Sequence, residues 1–132
     1  MTVKKWTSKL ATLALSLSVV GAAAPALAAE APESIVIGYA LAKPGPNAPG
    51  ASTTQRPNYE MWVEEVNKAG GIMLSKYGKR VPITVVEYDD RSSTEEAVRA
   101  VERLITQDEV DLLLPPWGTA TNLAVEPLFD RH

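Results

Sequence analysis

No cysteine occurs among the 132 residues, and the single histidine is the last of them, His132. The first absence excludes disulfides, thiol catalysis and thiolate metal sites together. It also excludes lipid attachment at an export cleavage site, which requires a cysteine there. The scarcity of histidine argues against a Ser-His-Asp arrangement or a zinc site within this chain. Long apolar runs are missing too. The longest, Leu10 to Val20, is far short of the roughly 20 residues that span a bilayer. A nucleotide fingerprint is also lacking. Gly45-Pro46-Asn47-Ala48-Pro49-Gly50 has the wrong spacing for a dinucleotide site, and its prolines remove backbone donors. Gly78-Lys79-Arg80 lacks both the upstream glycine and the following Ser or Thr of a phosphate loop. With 13 basic against 16 acidic residues and no basic stripe, nucleic acid is a poor partner. Enzymatic and nucleic-acid classes are therefore set aside.

What is present begins with a leader. Lys4, Lys5 and Lys9 precede the apolar run, Gly21 to Pro25 breaks it, and Ala26-Leu27-Ala28 offers small residues where a signal peptidase reads. This layout predicts a signal peptide over residues 1–28, cut after Ala28, and an exported product without membrane insertion. The three leader lysines leave 10 basic against 16 acidic residues in 29–132, a net charge of −6.

Residues 29–132 alternate between two patterns. Ile35 to Ala40 is a β-branched apolar run of buried-strand type, and Lys43 to Gly50 reads as an irregular loop, rich in Pro and Gly. Tyr59, Trp62, Val63, Val66 and Ala69 then recur at helical spacing, with Pro57 in the first turn and Gly70-Gly71 as a left-handed cap. A turn over Lys76 to Arg80 leads to a second strand, Val81 to Tyr88. Ser93-Thr94-Glu95-Glu96 is a capping box for a second helix. Its buried face carries Ala97, Val98, Val101, Leu104 and Ile105, and Glu95 to Arg99 is a favourable pair. Val110 to Leu114 reads as a third strand, stopped by Pro115-Pro116, and Thr119 opens a third helix that Pro127 kinks or ends. Such alternation predicts an α/β fold with a parallel sheet flanked by helices in three layers. Ligands of such sheets bind beyond the carboxyl ends of the strands, here at 43–50, 89–93 and 115–121.

Two stretches there carry polar chemistry. Asp89-Asp90 suits a metal or phosphoryl acceptor, but the simpler reading has one aspartate capping the turn and the other solvated. Pro115-Pro116-Trp117-Gly118-Thr119-Ala120-Thr121 is more informative. Gly118 permits close backbone approach, Thr119 and Thr121 bring hydroxyls, and a helix start offers free amides that suit a carboxylate. Trp117 is placed to cover an apolar or cationic group. Equally, Thr119 reads as a simple N-cap and Trp117 as loop packing.

Ile35 to Ala40, Gly45-Pro46, Trp62 to Ile72 (WVEEVNKAGGI) and Val86-Glu87-Tyr88-Asp89-Asp90 together resemble the periplasmic leucine/isoleucine/valine-binding protein family. The similarity continues through Ala97-Val98, Leu104-Ile105, Asp108 to Leu114 and Thr119 to Pro127. The resemblance implies a type I solute-binding protein of an ABC importer. Residues 29–132 are then the first half of lobe one, and the parent protein is a two-lobed periplasmic monomer that closes on its ligand. It implies no enzyme, no metal and no cofactor, but a small polar solute, an amino acid or other carboxylate, handed to permease subunits. The carboxylate falls to Thr119, with backbone contacts at Gly118 and Ala120. Trp117 and Thr121 flank them, and Lys43 is a further candidate, toward an acidic ligand. Pro115-Pro116-Trp117 replaces the family's smaller, glycine-led sequence, and the first loop carries Lys43 and extra prolines. The exact solute stays open, as does a sensory domain of a receptor or regulator built on the same fold. With the ligand's other contacts outside the chain, residues 29–132 alone are expected to bind weakly.

Overall fold

The computed structural model describes residues 30–132, so the leader reading and the cut after Ala28 lie outside the described residues. The elements run β1 (Ile35–Leu41), α1 (Ala48–Gly50), α2 (Arg56–Lys68), β2 (Ile72–Leu74), β3 (Lys79–Val81), β4 (Ile83–Asp89), α3 (Thr94–Thr106), β5 (Leu112–Leu113) and α4 (Thr119–Phe129). Strand β1 is central in a parallel sheet ordered β4-β1-β5, pairing Ile35 with Ile83 through Leu41 with Asp89, and Ile37 with Leu112. Its sequence explains its place: from Ile37 to Leu41 every residue is buried, as both faces of a central parallel strand require.

The faces differ. Tyr39 and Leu41 pack with Ala42 and Ala51, under Tyr59 of α2. Gly38 points the other way, where a β-carbon would stand 2.8 Å from Leu104 Cδ2, so the missing side chain lets α3 lie close on the sheet. On that side Ala97 and Val101 of α3 meet Val125 of α4, with Leu113 and Leu128 against them. This is the expected three-layer α/β arrangement.

Several local expectations are corrected. The segment read as an irregular loop over Lys43 to Gly50 is already helical from Ala48, because Pro49 sits in the first turn, where its missing N–H costs nothing. Ala51–Gln55 is a π-helical segment leading straight into α2. Its wider turn leaves backbone carbonyls that side-chain hydroxyls serve. Thr53 Oγ1 donates to the Pro49 carbonyl (2.8 Å) and Thr54 Oγ1 to the Gly50 carbonyl (2.7 Å). Trp62 is 40% exposed and so does not share the packed face of Tyr59.

Gly70 and Gly71, both at positive φ, end α2 as expected: Gly71 N–H bonds the Val66 carbonyl and Gly70 N–H that of Asn67. The turn over Lys76 to Arg80 is in fact part of an antiparallel hairpin, β2–β3, separated from β4 by Pro82. Its strands of three residues are too short for alternation to show. Ser93 caps α3 by accepting from Glu96 N–H, while Arg99 pairs at 2.7 Å with Glu96 more closely than with Glu95, 3.9 Å away. The paired part of β5 is shorter than Val110 to Leu114, although Asp111 N–H and Leu114 N–H still bond β1 carbonyls. Helix α4 continues through Pro127 to Phe129.

Candidate functional site

Three connections meet at the carboxyl ends of the strands. Behind β4, Asp89 Oδ1 accepts from Lys43 N–H (3.1 Å) and Arg91 N–H (2.8 Å), and Asp90 Oδ1 from Ser92 N–H (2.8 Å). Ser92 Oγ in turn donates to the Pro44 carbonyl and accepts from Asn47 N–H. Asp89 is half-buried, and Asp90 is far from solvated: it is 2% exposed, and burial pushes its carboxyl above the usual range despite the Ser92 amide. The pair braces the first loop, a job its position beside two turns explains. Among the described residues, no three acidic or histidine side chains gather as a metal site would require.

The segment after β5 is held from both sides. Gln55 Nε2 and Tyr59 Oη both donate to the Pro115 carbonyl, at 2.9 and 3.0 Å, and Asn122 Nδ2 donates to the Pro116 and Gly118 carbonyls, both at 2.8 Å. Gln55, Tyr59 and Asn122 are supports that reading the sequence missed. An isolated amide or phenol carries no pattern, and only the fold reveals which carbonyl it meets.

Trp117 lies against Gly50, so closely that a β-carbon there would overlap its ring. Its Nε1–H donates to Thr54 Oγ1 (3.0 Å), whose own hydroxyl binds the Gly50 carbonyl. The indole therefore ties the third loop to the π-helical segment, which is the packing role weighed for it. Gly118, at φ +97°, makes the turn into α4 and is its N-cap, in place of Thr119. A glycine has no side chain to cap with, so the first-turn amides of α4 are left open to an incoming acceptor, unlike those of α3. Thr119 and Ala120 are exposed at this end, whereas Thr121 is 4% exposed and turned into the interior. The candidate groups thus separate into Gly118, Thr119 and Ala120 at the surface, Trp117 half-buried beside them, and Thr121 behind.

Lys43 stands elsewhere. Its ammonium is 2.8 Å from Glu87 Oε1, an oxygen that Arg56 also approaches, at 3.2 Å. Glu87 neighbours Tyr39 across the β1–β4 ladder. Burial and then the Glu87 charge push the Tyr39 phenol up to about 12. Lys43 is therefore already paired, which the sequence did not disclose because Glu87 lies 44 positions away. Along α4, Pro115, Leu123, Val125 and Phe129 line an apolar groove of about 480 Å³.

A family model described as a periplasmic binding protein matches residues 34–132. Among solved structures, the branched-chain amino acid transporter substrate-binding protein of Streptococcus pneumoniae, in complex with isoleucine, is 30% identical with a TM-score of 0.63; the match covers 74% of this chain and 26% of that one. An ABC-transporter solute-binding protein of Rhodopseudomonas palustris in complex with benzoate is 24% identical, with a TM-score of 0.56, over 72% of this chain and 24% of its own. Another from the same species, in complex with 3,4-dihydroxybenzoic acid, is 23% identical, with a TM-score of 0.57, over 76% and 25%. The chain thus spans about a quarter of the length of the structures it matches.

Proposed function

The chain belongs to the periplasmic binding protein family, and from that premise we propose that it forms part of lobe one of an exported solute-binding component of an ABC importer. The solute is a small carboxylate whose acid group docks at the amino end of α4. One observation carries this reading. The amides following Gly118 stand at the carboxyl end of a parallel sheet without a side-chain cap, which concentrates unused donors and a partial positive charge at one point. The Thr119 hydroxyl is exposed at the same point, and Gly118 keeps a side chain out of the approach. The ligands held by the three solved relatives are one aliphatic amino acid, isoleucine, and two aromatic acids, benzoate and 3,4-dihydroxybenzoic acid; a carboxyl group is what all three share, which supports an acid rather than a particular body. Trp117 supplies an apolar wall beside that acid group.

In this reading, residues 1–28 direct export to the periplasm and are removed, the protein works as a monomer, and permease subunits receive the solute. No bond is made or broken. Capture needs only an acceptor for the amides and enclosure by the rest of the parent protein.

The test is calorimetry on the parent-length protein against a panel of amino acids, aromatic acids and their amides. Acids are expected to bind while the matching amides fail, and Thr119→Ala should weaken the best acid by about 1 kcal/mol, one hydrogen bond's worth. Equal binding of acids and amides would remove the carboxylate from the proposal. Unchanged affinity of the variant would reduce Thr119 to the first residue of a helix.

A further inference from the structure

We propose that the hairpin β2–β3 is a docking surface for an anionic lipid bilayer, because it gathers unpaired cations around an exposed apolar side chain on a ribbon remote from the candidate ligand site. From Val66 to Val86 the sequence has no Asp or Glu and four basic residues, Lys68, Lys76, Lys79 and Arg80, in a chain whose net charge is negative. Lys68 is neutralised by Glu64 at 2.8 Å. Among the described residues, no carboxylate stands within ion-pair distance of the other three. Lys76 lies over the Tyr77 ring instead, 5.3 Å from its centre, and Arg80 donates to the Gly71 carbonyl.

The ribbon also carries one apolar side chain outward and a half-buried tyrosine at its tip. Met73 is 49% exposed and sits across the ladder from Arg80, so a thioether and a guanidinium share one face. Tyr77 stands at the tip between Lys76 and Lys79. Cations interleaved with a tyrosine and an apolar side chain match the headgroup layer, where charge meets anionic lipid and amphipathic rings settle. A protein partner fits less well. Two strands of three residues cannot supply the roughly 800 Å² per side of a standard protein interface.

Position agrees. The hairpin precedes β4 directly, and Ile35 N–H bonds the Pro82 carbonyl, so the ribbon adjoins the amino ends of β1 and β4. The ligand loops lie at their carboxyl ends. A bilayer contact there leaves those loops clear. Because screening limits such attraction to about 8 Å at physiological salt, the acidic remainder of the molecule does not cancel it.

The test is sedimentation of the full-length protein with vesicles of phosphatidylcholine alone and of phosphatidylcholine with 30% phosphatidylglycerol (about 30%, an ordinary anionic surface charge). Each variant is compared with wild type, so that binding by any other segment is common to both. Each cation adds roughly fivefold to partitioning at low salt. Lys76→Gln with Lys79→Gln is therefore expected to weaken binding to the anionic vesicles by roughly 25-fold, with no change on neutral ones. Adding Arg80→Gln deepens the loss, while the double variant leaves the Arg80 contact to Gly71 intact and guards against misfolding. Arg99→Gln with Arg131→Gln makes the same charge change away from the hairpin and should have little effect. Equal partitioning of wild type and the Lys76/Lys79 variant overturns the proposal, as does an equal loss in the distal pair. If vesicle binding is unchanged but capture on polyglutamate resin is lost, the hairpin docks on an acidic protein face instead.

Discussion

Asp90 shows how a carboxylate can sit under a loop at some cost. It is 2% exposed, and loss of water raises its carboxyl, with the Asp89 charge adding to the effect and the Ser92 amide opposing it. An acid whose folded value lies above its unfolded value of about 3.9 favours the folded state most when protonated. That contribution is present below the unfolded value and is lost as pH rises through the folded one. Asp90→Asn keeps an oxygen for the Ser92 N–H without the charge. Its stability relative to wild type should therefore improve as pH is raised from about 4 toward neutrality, as urea denaturation across that range would show. Asp90→Ala, which also leaves the Ser92 amide without its acceptor, should be less stable than Asp90→Asn by about 1–3 kcal/mol at every pH. A pH-independent difference for the Asn variant would mean the buried charge is relieved by contacts other than those described. Tyr39 makes the same point with a phenol, kept protonated by burial and by Glu87.

At the scale of elements, legibility followed the length of the pattern. Strand β1, helix α3 and the glycine stop of α2 were readable because five or more residues, or a cap with a fixed geometry, pointed one way. The π-helical segment and the β2–β3 hairpin were not. The first depends on how the hydroxyls of Thr53 and Thr54 serve the Pro49 and Gly50 carbonyls, and the second has strands too short to alternate. The candidate site was half readable. Glycine at 118 and a helix start announced the open amides, but which side of α4 faced inward needed the packing of Val125 to decide, and it buried Thr121. The partners of Lys43 and Trp117, Glu87 and Thr54, lie far off in sequence and leave no local trace. The stack of Trp117 on Gly50 is itself testable. Gly50→Ala forces the ring to move, since the added carbon would overlap it, and should cost about 1–3 kcal/mol in thermal or urea unfolding. A neutral result would show that the two loops separate freely.

For the molecule as a whole, the sheet has an edge at β5, and beside it Leu112 is 50% and Leu123 is 64% exposed. An uncovered strand next to an apolar groove is a template for association. The 132-residue chain by itself should therefore self-associate in a concentration-dependent way, visible by light scattering, and Leu112→Lys with Leu123→Lys should suppress it. A monodisperse chain at high concentration would show that the edge is protected by contacts outside the described residues. On the proposed reading, a chain spanning about a quarter of the length of its relatives supplies only part of the enclosure, so its own affinity for any carboxylate should be far below that of the parent-length protein.

The indole of Trp117, wedged on Gly50 and bonded to Thr54, also has an optical consequence. Its emission reports whether the first and third loops are joined, because parting them exposes the ring to water and shifts the spectrum to the red. Trp62, 40% exposed, lies outside this contact and emits independently of it. On the proposed reading, solute docking next to Gly118 is expected to register as a shift in the Trp117 emission, without any dye attached.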